Sequence, residues 1–476
     1  MPFVASSQTP NRWVFLGVIS CGLLLISADN SILFTALPAL RTKLHMSELE
    51  GLWVLNAYSL VISGLLLGTG TLGDRIGHRR MFEIGLIIFA GASALAAASP
   101  NVAVLIAARA LLGMGAAVMM PATLALLRIT FVDVQERNVA IAIWGSVATI
   151  GAAAGPVLGG FLLEHFYWGS VFVVNIPVAL AALIATFILA PANVKHPGSR
   201  WDLAASIFAM LTMTGLVLLI KEIAHPGLLW LGILFTILGS IAFWRRNASL
   251  PEPLIAMDIF RSRLFSAGVL TALFTMFAHS GVMLVTTQRF QLTEHFSPLQ
   301  AGMLTGVAAI SAFPTSLIGG FILHRIGFLP LISGGLTIMA AGFGLCYLAA
   351  SNSIFPLFVL GIISAGAGSG FAMSVASTAI VGSAPKQRSG MASAIEEVSY
   401  EFGALISVSV FGTLLAAIYT RNSGLEANFA GAIDAPALDS SFVWLLGFAA
   451  GSTLIGAATT GWLLRNNPKD TAYAHE

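Results

Sequence analysis

Charge is what this sequence has least of: only 9% of its 476 residues are Asp, Glu, Lys or Arg, against roughly 25% in soluble domains. A chain so poor in charge cannot coat a water-facing surface, and with 57% hydrophobic residues it reads as an integral membrane protein. The formal net charge is only +2, with no basic patch or stripe, so nucleic acid is not an expected partner. Cysteine is nearly absent. Cys21 and Cys346 both fall in apolar runs and read as small hydrophobes, which excludes a disulfide framework or a cysteine metal site. No nucleotide loop, catalytic triad or metal-ligand cluster stands out: Gly366-Ala-Gly368-Ser-Gly370 lies in an apolar run and lacks the phosphate-binding lysine. That excludes the common enzyme classes. The polar start, Met1 to Arg12, leads into a long apolar run without a small-residue cleavage site, so it is read as a retained first span.

What is present is a succession of apolar runs. A hydrocarbon core needs about 20 residues of helix, and the charged and Pro/Gly/Asn punctuation divides the chain into fourteen such runs. Most of the 23 lysines and arginines fall in alternate loops, the bias expected of cytoplasmic loops. This pattern places both termini in the cytoplasm of a cell or plasma membrane. Arg41, Lys43, Lys221, Arg289 and Arg421 fall in the outer loops, and Arg109 alone sits deep in a span. Gly70-Thr-Leu-Gly-Asp74-Arg75-Ile-Gly77 is echoed 250 residues later by Gly320-Phe-Ile-Leu-His324-Arg325-Ile-Gly327, which indicates an internal repeat. The expected fold is an all-α membrane protein of two six-helix bundles, 1–190 and 264–476, with two extra spans and their linkers at 191–263. The second loop copy lacks the acid, so whatever Asp74 does is asymmetric between the halves.

Several stretches carry more than packing. Asp29 lies within span one, where a carboxylate at the bilayer centre costs about 2.5–3.5 kcal/mol on insertion scales; it must face a cavity or a partner, unless it caps loosened backbone locally. Arg109 is a permanent charge, able to tune a carboxylate but not to carry a proton, or else to lock spans together as a structural pair. Glu396, Glu397 and Glu401 open span thirteen, with Glu397 and Glu401 on one helix face. Crowded like charges favour holding a proton on one of them, as a reversible proton site requires; Glu396 and Glu397 could instead be plain N-terminal charges of the helix. Span five carries Gly145, Gly151, Gly155, Pro156, Gly159 and Gly160, small residues that let another backbone approach and a proline that removes one hydrogen bond. Asp74, Arg75, Arg79 and Arg80, set between Gly70 and Gly77, are placed to pair with neighbouring helix ends and hold one conformation. His279 is a packing residue or a proton relay. Trp53, Tyr58, Trp144, Tyr400, Phe274 and Phe277 could line an aromatic cavity for flat cations or simply pack.

These residues together resemble the major facilitator superfamily, in its fourteen-span drug:proton antiporter branch. Gly70 to Arg80 is similar to that superfamily's loop motif, Arg109-Ala-Leu-Leu-Gly113-Met-Gly115 to its intramembrane arginine motif, and Gly151 to Gly160 to the antiporter motif of exporters. Leu25 to Pro38, with Asp29, is similar to the branch's acidic signature, and Trp53 to Leu60 and Asn175-Ile-Pro177 fit as well. Asn56 stands where some cation exporters of the branch carry an acid. The resemblance implies a monomeric, cofactor-free antiporter that spends a proton gradient to export a small amphipathic, cationic substrate. A dedicated exporter of one metabolite or antibiotic, and a membrane sensor or scaffold without net transport, are the alternatives.

Overall fold

The computed structural model describes residues 12–195, 202–222, 227–250, 253–384, 388–425, 427, 429 and 433–465, and within a few helices it leaves some side chains, Gly70 among them, undescribed. Among the described residues fourteen helical segments are long and apolar enough to cross a membrane, and there is no strand. A lone helix satisfies its own backbone groups, so each apolar run can enter lipid without a partner.

The first bundle contains α1 (Arg12–Leu44), α2 (Glu48–Ile76), α3 (His78–Ala97), α4 (Val102–Thr130), α5 (Val134–His165), and α6 (Ser170–Val173) continued by α7 (Asn175–Leu189) as one span. Two additional spans follow, α8 (Leu203–Lys221) and α9 (Leu229–Ser249). After a 3-10 turn at Met257–Arg261 come α10 (Arg263–Leu292), α11 (Pro298–Ile326), α12 (Phe328–Ser351), α13 (Phe355–Ser383), α14 (Ser389–Ser423) and α15 (Ala435–Leu464). With an even number of spans, the two ends of the chain emerge on one face, called here the terminal face; the opposite one is the far face.

Within the first bundle α1 packs on α5 and α7, and α4 on α2 and α3; within the second, α13 packs on α11 and α12, and α10 on α14 and α15. The repeat extends beyond the loop motif. Gly77 and Gly327 both take positive φ, +97° and +79°, where α2 meets α3 and α11 meets α12, a turn that favours glycine. Ser47 and Ser297 start α2 and α11 with the same capping box, using Glu50 and Gln300, and so satisfy helix-start N–H groups at equivalent places.

The bundles meet along α5 with α11, α2 with α14, and α1 with α10. Three hydrogen bonds join them toward the far face: Arg41 Nη1 to Gln288 Oε1 (3.2 Å), Gln291 Nε2 to Thr35 O (3.0 Å) and Asn56 Nδ2 to Ser409 Oγ (2.7 Å). Glycines close the same region, since a Cβ at Gly160 would sit 2.4 Å from Leu299 Cα and one at Gly302 would sit 2.1 Å from Pro156 O. The pair α8–α9 leans on α2, and α8 reaches α14 as well, so it lines one seam between the bundles. Much of α9 faces outward, with Trp230, Ile237 and Trp244 exposed, as lipid contact allows.

The positions of five basic residues differ from the sequence reading. Arg41, Lys43, Lys221, Arg289 and Arg421 are not loop residues. Each lies within or at the end of a helix, and Arg41 (1% exposed) and Lys221 (5% exposed) are buried. The hydrophobic runs end near these residues, but helix and packing continue past them.

Candidate functional site

Asp29 sits near the middle of α1, and at 2% exposure it is removed from both lipid and water. Its Oδ2 receives Arg109 Nη1 of α4 at 2.5 Å, and its Oδ1 receives Asn175 Nδ2 at the start of α7 at 2.8 Å. The same Asn175 amide reaches Ser93 Oγ of α3 at 3.4 Å. Arg109 is 0% exposed; its Nε donates to Val54 O (3.2 Å), and its guanidinium lies 4.5 Å from the centre of the Tyr58 ring on α2. One carboxylate, one guanidinium and one amide therefore tie five helices together. The close approach that permits this depends on Gly113, where a Cβ would meet Tyr58 O at 2.5 Å. A buried pair of this kind is costly to assemble and more costly to break, because losing one partner strands the other: about 3–5 kcal/mol.

Arg109 is not fully satisfied. Its Nη2 is buried without a hydrogen-bond partner among the described residues. The second bundle supplies a matching group: Glu401 of α14 hydrogen-bonds Ser59 of α2, lies within electrostatic reach of Arg109, and keeps a buried Oε2 without a partner. The three acids of α14 thus divide by environment. Glu401 faces the first bundle. Glu396, 7% exposed, is held inside the second bundle by Tyr400 Oη at 2.9 Å and by Ser377 of α13. Glu397 lies between them, half-buried and within range of both neighbouring charges. None of the three is an exposed charge at the helix start, which is the plainer role the sequence allows for Glu396 and Glu397.

The glycine stretch of α5 has two faces. Gly151, Gly155 and Gly159 press on α1 along the turns that flank Asp29: hypothetical Cβ atoms there would meet Leu24 O at 3.1 Å, Ala28 O at 2.9 Å and Ile32 Cγ2 at 2.9 Å. Pro156 and Gly160 press on α11 of the other bundle. Helix α5 runs unbroken through Pro156, so the freed carbonyl is accommodated without a break. A Cβ at Gly145 would meet none of the described residues of another helix within 4 Å, so Gly145 is not part of this contact.

In the loop between α2 and α3, Asp74 Oδ1 meets His78 Nε2 at 3.0 Å, and Arg79 bonds Glu83 (2.9 Å) and the carbonyls of Phe187, Ala190 and Pro191 at the end of α7. Asn193 completes the clasp by donating to Ile76 O (2.8 Å) and accepting from Arg80 N (3.3 Å). Gly77 has no room for a side chain because Asn193 lies over it. No hydrogen bond or ion pair of the Arg75 side chain is seen among the described residues, and the surroundings of Gly70 lie outside them.

The candidate aromatics scatter. Tyr58 is fully buried under Arg109 and lines no open cavity in this form. Trp53 lies toward the far face against Lys221. Tyr400 is tied to Glu396. Trp144 packs on the first bundle's core with its indole N–H unpartnered. Phe277 joins Phe411 and Phe448 in an aromatic cluster of the second bundle, and Phe274 packs on Gly456.

His279 stands where the repeat sets it against Asp29, 250 residues later. It borders a small cavity in the second bundle with Thr286, Thr305, Met339, Phe343 and Gly366. Among the described residues no arginine lines that cavity. Gly366, Gly368 and Gly370 pack α13 against α11 and α12. Among the described residues no group of His, Cys, Asp and Glu is arranged to hold a metal ion.

The site also uses residues to which the sequence assigns no role: Val54, Ser59 and Asn175 lie in stretches that resemble the family, and Ser93 carries no signal at all.

The sequence profile of the Major Facilitator Superfamily matches residues 19–287 and 264–475. The chain is 35% identical over 431 residues to a multidrug efflux pump, LfrA, of Mycolicibacterium smegmatis, covering 89% of this chain and 85% of that protein. It is 34% identical to the methyl viologen resistance protein SmvA of Salmonella typhimurium, covering 87% and 86% of the two chains. In fold it is similar to a peptide transporter, POT, solved with sulfate, at a TM-score of 0.70 and 16% identity over 96% of this chain and 95% of that one. The chain belongs to the major facilitator superfamily, in its drug-efflux branch, and is a transport protein rather than an enzyme.

Proposed function

We propose that this efflux transporter exchanges protons for amphipathic cations, with Asp29 and Glu401 as the acids that alternate between proton and substrate. The observation that carries this is the pairing across the bundle interface: a buried Asp29–Arg109–Asn175 centre in one bundle and the half-satisfied Glu401 of the other, within electrostatic reach of Arg109. A carboxylate that holds a proton has no negative charge to offer a cation, so the two ligands compete at the same oxygen. Arg109 keeps its charge throughout and favours the ionised carboxylate.

In this reading the termini are cytoplasmic, in the inner or plasma membrane, and the far face is external. The structure is then the externally closed form. A proton arriving from outside displaces the cation outward; deprotonation toward the cytoplasm restores the site. The two bundles, residues 1–190 and 264–476, rock against one another around α5 and α11, while the segment 191–263 rides with them. Asp74, Arg79 and Asn193 clasp α2, α3 and α7 on the cytoplasmic side, and the monomer needs no cofactor beyond the proton gradient.

Export of ethidium into inverted membrane vesicles tests this. Uptake is expected to collapse with a protonophore and in Asp29→Asn and Glu401→Gln. Full uptake in both variants would sink the carboxylate exchange. Growth on a panel of cationic biocides, with and without the gene, separates broad export from export of one metabolite.

A further inference from the structure

Near the far face a second group of buried polar atoms stands without partners. Lys221, the last residue of α8, is 5% exposed, and its Nζ makes no hydrogen bond among the described residues. It rests 4.1 Å from the centre of the Trp53 ring and within electrostatic reach of Glu48, both on α2. Glu48 binds Arg41 Nη2 through Oε1 at 2.7 Å, and its Oε2 is buried without a hydrogen-bond partner among the described residues. Arg41 is anchored independently, by Gln288 of the second bundle.

An ammonium carries three donors that seek acceptors. The ring face and the carboxylate supply attraction for positive charge and little hydrogen bonding. That pairing suits an organic cation with no N–H to satisfy better than it suits lysine. We propose that Trp53 and Glu48 form a second, outer site for a lipophilic monocation, and that Lys221 fills this site in the present closed form. The proposal rests on the reading of the chain as a cation exporter and extends it to the exit route.

The position supports an exit role. Trp53 follows Leu52, which packs on Gly412 of α14, and it precedes Asn56, which bonds Ser409 of α14. This seam between α2 and α14 must part when the far side opens, which exposes the ring and the carboxylate to a departing cation. Lys221 is tethered to that spot by α8, so it competes for the site at a fixed local concentration. Two fixed cations, Arg41 and Lys221, face a single carboxylate here, and their excess charge disfavours retention of a third. The first additional span thus carries a built-in displacing cation that hastens release.

Equilibrium binding of tetraphenylphosphonium to the purified full-length protein in lipid nanodiscs tests the idea. The wild type is expected to bind at the inner site only, with binding weakened in Glu401→Gln. Lys221→Met is expected to gain a second equivalent of bound cation, lost again in Lys221→Met with Trp53→Leu, while Lys221→Arg behaves as wild type. No binding to the wild type would remove the cation-export reading itself. Wild-type stoichiometry in Lys221→Met and Lys221→Gln, both monodisperse, overturns the outer site alone. Inhibition of ethidium export by tetraphenylphosphonium added at the far face gives an independent readout. It should strengthen about tenfold in Lys221→Met, the scale of one cation–π contact, and return to the wild-type level in Lys221→Met with Trp53→Leu; equal inhibition in the wild type and Lys221→Met also overturns the proposal.

Discussion

Arg109 and Glu401 belong to different bundles, yet each lies within electrostatic reach of the other and each keeps one buried polar atom without a hydrogen-bond partner among the described residues. Arg109 is committed on its other side to Asp29 and Val54 O. Glu401 is held by Ser59, a residue of the first bundle, so α2 aligns the acid with the arginine. The relation holds only while α2 and α14 stay together, so the approach of the bundles and the charge state of the site are one variable.

Removal of one member of the Asp29–Arg109 pair should cost more than removal of both. Arg109→Leu or Asp29→Ala strands a buried charge and is expected to lower stability by about 3–5 kcal/mol. The double variant should recover part of that loss while remaining inactive. Thermal unfolding of the purified proteins, set out as a double-mutant cycle, measures it; additive losses would show that the pair is not coupled.

The three acids of α14 should separate under neutral substitution. Glu401→Gln is expected to abolish proton-driven efflux at near-normal protein levels, because the variant keeps size and one hydrogen bond to Ser59. Glu396→Gln should retain transport, since Tyr400 and Ser377 can hold an amide as they hold the acid. Vesicle transport normalised to protein amount decides between them, and an inactive Glu396→Gln with active Glu401→Gln would reverse the assignment.

Glycines of α5 should differ by what they face. At Gly155 an added Cβ would collide with Ser31 and Ala28 O, so Gly155→Ala is expected to destabilise by about 1–3 kcal/mol through overpacking and to impair transport. Gly145→Ala meets nothing within 4 Å and should be neutral or stabilising by up to ~1 kcal/mol from helix propensity. Unfolding temperatures and transport rates of the two variants check this side by side.

At the terminal face Gly77→Ala should slow transport more than Gly327→Ala. Both residues have positive φ, which strains any other side chain, but only Gly77 lies under Asn193, and nothing lies within 4 Å of a Cβ at Gly327. Rates measured at saturating substrate, with expression checked, give the comparison.

Much of this molecule is local in origin. The length of each apolar run, the charges that punctuate the runs and the glycine turns repeated at Gly77 and Gly327 determine fourteen helices, because a helix in lipid must satisfy its own backbone within one segment. The presence of an acid in α1 and an arginine in α4 was equally legible, since a charge in an apolar run is conspicuous. What those charges touch was not. Asn175 holds Asp29 from 146 residues away, Ser59 meets Glu401 across the bundle interface, and Arg41 and Lys221 are buried although they sit where the hydrophobic runs end. Such contacts arise from how helices rotate and cross once they are packed, which depends on small residues such as Gly113 and Gly155 on neighbouring helices and leaves no periodic trace in the chain. Composition and spacing determined the spans; only the packed tertiary structure decided which buried charges are satisfied and which are left open.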